Sequence, residues 1–405
     1  MVLRKSQLNL ALCLAVVSAS AVAGEVKFNG FASIVSGMQI DGDKNVLTGS
    51  GEAYPDDTFD NLQESRLGLQ VTAPLSEDIR FIGQAIARGS AQTGFVTNYE
   101  WAYMDFDLGE SSKFKVGRIR IPFYKYSDYL DVGYAYHWIT PPKSMYSSSF
   151  SNVDGVGYST NFPLASGVDA SINTVFGRYQ GTLSIAGQNS PVDLRNLGAV
   201  NFTLTMGDHE LYAAYAQADV HIKAGSVNVL ITGVEGATGT SINDNKLLFN
   251  GDYGSFIGLG YKGSIGDLGL YAEASQVKVE DSALQDAIGG YVGASYSLGS
   301  YLVHLTYETQ TSEGKSGKGL VTGVAPAAVA AAEAALTRNL RALGGRGSEG
   351  SADTITLGVR KELGKGSALK LEVSQYDENR YQSSAATRKS TESATLLKVA
   401  FDAMF

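Results

Sequence analysis

A period-two alternation of apolar and polar residues runs along nearly the whole chain beyond its N-terminal segment. In "SRLGLQVTA" the apolar positions include Leu67, Leu69 and Val71, and the polar residues Arg66 and Gln70 stand between them. The segments "DTITLGVRKEL", "SYLVHLTYETQ" and "AIGGYVGASYSL" repeat the pattern. Strict alternation is typical of β-strands that have one apolar and one polar face. The chain is therefore predicted to be all-β.

Two kinds of connection alternate between the predicted strands. Seven are tight turns, namely "APLSED", "LGESSK", "FPLASG", "MGDHE", "GSIGD", "SLGS" and "LGKGS". Eight are mostly long loops, at about 41–62, 89–97, 121–150, 178–197, 220–252, 280–287, 312–351 and 380–391. Seven turns and eight loops join about 16 strands. This pattern predicts a transmembrane antiparallel β-barrel of the outer membrane over residues 24–405, with short periplasmic turns and long extracellular loops.

Hydropathy fits a barrel better than a bundle of membrane-spanning helices. The mean hydropathy is −0.05, close to zero, because half of each strand would face lipid and half water. A spanning helix needs about 20 consecutive apolar residues, and the nearest candidate, "APAAVAAAEAALTRNLRAL", is interrupted by Glu333, Arg338 and Arg341. A secreted β-sandwich would also alternate. The polar face is rich in glycine, serine and charge, and turns alternate strictly with loops, which favours one closed sheet.

Residues 1–23 are predicted to be a signal peptide. Arg4 and Lys5 precede the apolar run "LNLALCLAVV", and Ala21 and Ala23 form a small-residue cleavage site. The single cysteine, Cys13, lies in this segment, so the rest of the chain has no disulfide or thiol chemistry. The net charge of −9 makes nucleic acid a poor partner, because phosphates repel an acidic chain.

The C-terminal segment "LLKVAFDAMF" has the alternation of a last, closing strand. Leu397, Phe401 and Phe405 share one parity, and Lys398 and Asp402 share the other. Phe405 is expected at the lipid–water boundary, where aromatic residues are favoured. We expect this strand to pair with the first one, "EVKFNGFASIVSGMQI", and so close the barrel.

These features together resemble the Gram-negative porins of the sixteen-stranded, trimeric type. The local match is "FKVGRIRIPFYKYSDYLDVGYAYHWITPP", in which a strand ends in Gly-Arg at Gly117 and Arg118 and a long loop follows. The resemblance implies a water-filled homotrimer in contact with outer-membrane lipid and lipopolysaccharide. It also implies that loop 121–150 folds inward and narrows the pore. The loop departs from the acidic loop common in the family, because it is rich in aromatic residues: Tyr124, Tyr126, Tyr129, Tyr134, Tyr136 and Trp138.

Charged residues on the polar faces are candidates for ion selectivity. Alternation places Arg66 inward, and Arg80 and Arg88 share a parity with Gln84. Strict alternation would place Arg118 and Arg120 on lipid, where a charge costs about 2–4 kcal/mol at mid-depth, so we favour an inward position through a strand end or a bulge near Gly117. The candidate constriction residues are Arg66, Arg80, Arg88, Arg118, Arg120, Asp128, Asp131, Tyr124 and Tyr126.

Each candidate has a functional and a purely structural interpretation. In the functional one, the arginines face Asp128 and Asp131 across the pore and create a transverse field. In the structural one, they fill a polar lumen and pair with nearby acids. The tyrosines would stack on solutes, or would only pack the loop against the wall.

Two further segments carry weaker predictions. "DGDKNVLTGSGE" places Asp41, Asp43, Asn45 and Glu52 at calcium-loop spacing, but Val46 occupies the glycine position, so an acidic outer loop is the preferred interpretation. The alanine-rich segment 325–345 is predicted to form a helix in an outer loop. That helix would cap the mouth, pack on a neighbouring subunit or lie in solvent.

The sequence therefore predicts a passive channel for small hydrophilic solutes and ions, with no enzymatic activity and no cofactor. One alternative is a channel selective for anions or sugars. The other is a non-conducting surface barrel that binds partners through its loops.

Overall fold

The protein is described by a computed structural model that covers residues 24–42, 54–56, 58–90, 94–146, 150–185, 188–343, 349–381 and 389–405. The strands are β1 Lys27–Gly42, β2 Arg66–Pro74, β3 Ile79–Ser90, β4 Gly94–Asp107, β5 Ser112–Arg120, β6 Asn152–Ala165, β7 Val168–Ile185, β8 Gln188–Met206, β9 His209–Ile222, β10 Ser241–Ile242, β11 Phe249–Ile265, β12 Leu268–Val279, β13 Asp286–Leu298, β14 Tyr301–Glu313, β15 Val321–Thr322, β16 Gly350–Gly364, β17 Ser367–Tyr381 and β18 Lys389–Met404. The α-helices are α1 Lys143–Tyr146, α2 Gly225–Thr238 and α3 Pro326–Ala342.

Sixteen of these strands form one closed antiparallel barrel, in which β18 returns to pair with β1. The two short strands β10 and β15 form a separate pair. The seam is continued by the last residue, because Gly30 N donates to Phe405 O at 2.7 Å and Phe405 N donates to Gly30 O at 2.9 Å. The predicted fold class and the predicted closing strand are confirmed.

The two faces of the sheet differ as the alternation predicts. Outward-facing Ile34, Leu69 and Phe401 are exposed. Inward-facing Lys398 and Asp402 are buried, with 3% and 0% of their surface exposed. A closed sheet pairs backbone groups between neighbouring strands, and its apolar outer face suits a lipid environment.

Two predicted loops are shorter than expected. The predicted loop 178–197 is wrong, because β7 runs to Ile185 and β8 begins at Gln188. Register shifts at Gly177/Tyr179 and Arg195/Gly198 interrupt the alternation there, so the strand pattern is hidden in the sequence. The hairpin at 89–97 also extends further than predicted, with β3 ending at Ser90.

The outer loops carry a pair of helices. α3 lies within the predicted segment 325–345, although residues 344 and 345 fall outside the described residues. α2 was not predicted, and it packs against α3. The buried residues of the pair all belong to one larger hydrophobic cluster and are Val227, Ile231, Val234, Ala332, Leu336 and Leu340. Within the described residues, no helix has the length and apolar composition needed to span a bilayer.

The calcium interpretation of the first outer loop stays a prediction. Asp41 lies near the end of β1, whereas Asp43, Asn45 and Glu52 lie outside the described residues.

Candidate functional site

The long segment between β5 and β6 lies inside the barrel over its described residues, 121–146 and 150–151, and these residues are called the lumen loop here. Its side chains Ile121, Trp138 and Ile139 have 1%, 1% and 0% of their surface exposed. It is fixed to the wall on the far side of the barrel. Trp138 Nε1 donates to Thr306 Oγ1 at 2.9 Å, and Ile139 N donates to Glu372 Oε1 at 2.7 Å. The loop therefore crosses the lumen from β5 to strands β14 and β17.

Lys370 on β17 provides the most deeply buried anchor of the lumen loop. Its Nζ donates to Gly133 O at 2.7 Å and to Trp138 O at 2.6 Å. The same ammonium forms an ion pair with Asp402 Oδ2 at 2.8 Å, and both side chains are 1% exposed. Asp402 also accepts from Ser33 Oγ at 2.5 Å. The loop backbone is thus held by a cation that is itself neutralised by the closing strand.

The loop tyrosines mainly form packing contacts. Tyr124 lies against Tyr146 and Phe256, with ring centroids 4.9 and 5.3 Å apart. Tyr126 lies edge-on to Trp138 at 5.6 Å and has 3% of its surface exposed. This geometry matches the structural interpretation of both tyrosines, although Tyr124 also lines two of the cavities described below.

Two arginines and two acids form a closed ring, called the charge ring here, between the wall and the lumen loop. Arg88 Nη2 lies 2.7 Å from both Glu100 Oε2 and Asp131 Oδ1. Arg120 Nη1 lies 2.9 Å from Glu100 Oε1, and its Nη2 lies 2.8 Å from Asp131 Oδ2. Each acid is therefore shared by both arginines, and the ring is formally neutral.

Glu100 is the member of the charge ring that sequence reasoning missed. Gln84 pairs with Trp101 and the next residue, Ala85, pairs with Tyr99, so Glu100 is the extra residue of a β-bulge. A bulge re-aims a side chain that strict alternation would place elsewhere. The only signal in the sequence is an acid between two aromatic residues in "NYEWAY".

Arg66 is the arginine that the ring does not neutralise. Its Nη2 donates to Tyr136 Oη at 2.7 Å and to Ile139 O at 3.4 Å. Its Nε is buried without a hydrogen-bond partner among the described residues. Within that same part of the chain, no carboxylate lies at ion-pair distance from it, so its positive charge is offset only at longer range.

Of the two arginines at the end of β5, only Arg120 joins the charge ring. Arg118 pairs in register with Asp154 of β6 and shares the outward parity of Val116. Its Nε and Nη2 lie 2.8 Å from the two carboxylate oxygens of Asp154, and its side chain is 43% exposed. The expected lipid cost does not arise, because Arg118 lies near the loop end of its strand and its charge is paired. The bulge expected near Gly117 does not occur in the pairing of β5 with β6, because that pairing has no register shift. Gly117 does have a positive φ of 137°.

A notch in the barrel wall lies beside Arg118. β4 pairs with β5 only from Ala102 to Asp107, and β7 pairs with β6 only as far as Arg178. Beyond these points the two strands continue with partners on one side only. The lumen loop leaves and rejoins the wall at this notch.

Arg80 and Asp128 lie away from the charge ring. Arg80 is close to a tight turn and pairs with Asp105 at 2.8 Å and Asp107 at 2.7 Å. Eight residues of β3 separate it from Arg88, a distance of about 26 Å along an extended strand. Asp128 is exposed and lines a different cavity from Asp131.

Polar cavities lie beside the lumen loop among the described residues, and two of them lie along the β2–β9 side of the barrel. The outer cavity, of about 590 Å³, opens toward the long loops, and its charged residues are Arg66, Arg88, Arg118, Arg120, Lys143, Glu64, Glu100, Asp131 and Asp154. The inner cavity, of about 550 Å³, lies toward the tight turns, and its charged residues are Lys125, Asp128, Asp169 and Glu210. Five bases face four acids in the outer cavity, and one base faces three acids in the inner one. The formal charge is therefore +1 in the outer cavity and −2 in the inner cavity.

Solved structures share this architecture across nearly the whole chain. The outer membrane channel DcaP of Acinetobacter baumannii superimposes with a TM-score of 0.60 at 14% identity, covering 96% of this chain and 99% of that one. The barrel has the porin fold. An anion-selective porin from Comamonas acidovorans has a TM-score of 0.52 at 16% identity, covering 94% and 99% of the two chains. Salmonella typhi OmpF has a TM-score of 0.52 at 14% identity, covering 94% and 97%. No protein-family model and no curated protein matches the sequence.

The porin fold here carries an acid that stays ionised at low pH. Burial by itself raises the pKa of Asp131, but the positive charges of Arg88 and Arg120 lower this pKa by more, so that its net value is about 2. A carboxylate whose pKa is depressed stabilises the folded state above its ordinary pKa and loses that contribution as the pH falls toward the depressed value.

We therefore expect Asp131→Asn to flatten the acid limb of the stability profile. Between pH 4 and pH 2 the wild-type free energy of unfolding should fall by about 2 kcal/mol more than that of the variant, since each tenfold change in acid dissociation corresponds to about 1.4 kcal/mol. The measurement is urea unfolding of the detergent-solubilised barrel at stepped pH. Parallel acid limbs in the two proteins would contradict it. Asp128→Asn, at the exposed loop acid, is the matched control.

Proposed function

We propose that this chain is an outer-membrane porin that lets small hydrophilic solutes and ions diffuse passively. The observation that carries the proposal is a closed sheet with an apolar outer face, whose lumen loop leaves polar cavities on both of its sides. Flux through such a barrel is driven by the solute gradient, and the chain performs no covalent chemistry. The lumen loop acts as the constriction.

The charges favour weak selectivity over a strongly anion-selective channel. Arg88 and Arg120 are compensated within the charge ring by Glu100 and Asp131. The formal charges of +1 in the outer cavity and −2 in the inner cavity sum to −1. A passing ion would therefore meet both signs in turn, and neither sign dominates the whole path.

Planar-bilayer recording tests the porin proposal directly. We expect discrete single-channel steps from the purified full chain, with a conductance that rises linearly with KCl concentration and a reversal potential near zero in a salt gradient. Saturating conductance would favour a solute-binding channel instead. The absence of any steps would favour a barrel that binds partners through its loops.

We further infer that three copies assemble side by side in the membrane, with lipid and lipopolysaccharide around the outer face. The support is the fold shared with an OmpT of Vibrio cholerae described in a trimer form, which has a TM-score of 0.51 at 13% identity. Light scattering in mild detergent should give three times the mass of the chain. A monomer mass across several detergents would contradict the trimer and leave the channel proposal intact.

A further inference from the structure

Another cavity in the lumen, called the apolar chamber here, differs from the outer and inner cavities. It has a volume of about 330 Å³ and lies between the lumen loop and the inner faces of β8, β9, β11 and β12. Its apolar lining includes Met145, Phe150, Leu197, Val220, Phe256 and Val277. These strands therefore carry apolar residues on the face that a water-filled barrel normally keeps polar.

The chamber is not simply unfilled core. Protein interiors pack with few voids larger than a water molecule, because empty apolar space forfeits contacts. Val277 has the inward parity of the buried Glu273, yet 41% of its surface is exposed. An inward apolar side chain that remains accessible is available to a solute.

The chamber adjoins the outer cavity. Phe150 lines both spaces, and its neighbours in the lumen loop divide between them, with Met145 on the chamber and Tyr146 on the outer cavity. The outer cavity contains Arg66, whose Nε has no partner among the described residues. An apolar surface thus continues into a cavity that holds the Arg66 guanidinium, which forms no ion pair among the described residues. A guanidinium is a strong donor to carboxylates.

We propose that the chamber and Arg66 form a binding site for small amphiphilic anions of the arylalkanoate class. The apolar body lies in the chamber against Phe150 and Val277, and the carboxylate lies in the outer cavity toward Arg66. This inference rests on the proposed porin function for its role in uptake, because a solute held at this site is drawn from the outside to the edge of the constriction.

Block of single-channel current tests the site with three matched probes. 4-Phenylbutyrate carries both groups, butyrate lacks the ring, and 4-phenyl-1-butanol lacks the charge. Added on the long-loop side, 4-phenylbutyrate should interrupt the current at a concentration at least tenfold lower than either control probe. Equal potency of butyrate and 4-phenylbutyrate would overturn the role of the chamber.

Two variants separate the two halves of the site. Val277→Gln, at an accessible position, should weaken block by 4-phenylbutyrate at least fivefold. Arg66→Gln should weaken 4-phenylbutyrate but leave 4-phenyl-1-butanol unchanged. Thr203→Gln, which lines the inner cavity, is the matched control and should change neither. Unchanged block in Val277→Gln overturns the proposal.

Calorimetric titration of the full chain in lipid nanodiscs with 4-phenylbutyrate gives a readout that does not require conduction. Binding that Val277→Gln weakens at least fivefold supports the site even if no channel steps are seen, in which case only the porin function fails. Channel steps without any Val277-dependent binding leave the porin function standing and refute the site.

Discussion

Replacing Lys370 with Met is expected to lower the free energy of unfolding by about 3–5 kcal/mol, because removing one partner of a buried ion pair leaves the other as an uncompensated charge. Asp402 is that partner, and it lies fully buried on the closing strand of the barrel. The change also removes the two hydrogen bonds that Lys370 donates to the lumen loop at Gly133 and Trp138. The structure should therefore lose both wall stability and loop anchoring.

A double variant separates these two losses. Lys370→Met combined with Asp402→Leu removes both charges, and replacement of a whole buried pair by apolar residues is often neutral or stabilising. We expect the double variant to recover most of the unfolding free energy, measured by urea titration, while its open-channel current stays noisier than that of the wild type. A single variant as stable as the wild type would show that the pair does not hold the barrel. Quiet current in the double variant would show that Lys370 does not hold the loop.

The barrel itself was predictable because it depends on a local pattern, the alternation of apolar and polar residues within each strand. Each strand needs only an apolar face toward lipid and a polar face toward the lumen, and residues such as Leu69, Arg66 and Lys398 carry that pattern in their parity. The prediction of a loop at 178–197 failed because the alternation is interrupted there. Bulges at Gly177/Tyr179 and Arg195/Gly198 shift the parity inside β7 and β8, so that two strands resembled a loop.

The helices of the outer loops show the same dependence on local signal. α3 begins with Pro326 and continues with a run of alanine, which is a strong helix signal. α2 contains glycine and β-branched residues, whose helix propensities are low, and it is stabilised by packing on α3 through Val227 and Ile231. Tertiary contact of this kind cannot be read from a single segment.

The candidate site was only partly predictable, because it is assembled across strands. Arg88, Arg120 and Asp131 meet because the lumen loop turns back toward β3, which is set by anchors as distant as Lys370. Glu100 joins them through a bulge that depends on how β3 and β4 pair. Sequence parity could identify inward charges, but it could not show which of them share a height in the barrel.

Replacing Arg120 with Ala is expected to shift ion selectivity toward cations. Glu100 and Asp131 would then share the single remaining arginine, Arg88, so that the formally neutral ring gains one negative charge. A unit charge acts on an ion 4 Å away with about 1 kcal/mol even at the dielectric constant of water. The change favours potassium and disfavours chloride by about 1 kcal/mol each, so we expect the ratio of potassium to chloride permeability to rise by up to about 25-fold, since 1.4 kcal/mol corresponds to a factor of ten.

Arg118→Ala is the matched control for this measurement, because the two arginines lie two residues apart on the same strand and only Arg120 belongs to the charge ring. Arg118 pairs with Asp154 at the notch, on the rim of the outer cavity, where both side chains are about half exposed. Solvent screens such a pair, so its loss should leave the reversal potential in a KCl gradient unchanged. Equal shifts in both variants would mean that the ion path runs along the notch beside Arg118, because only an ion passing there would sense both charges. No shift in either variant would mean that ions do not pass the charge ring at all.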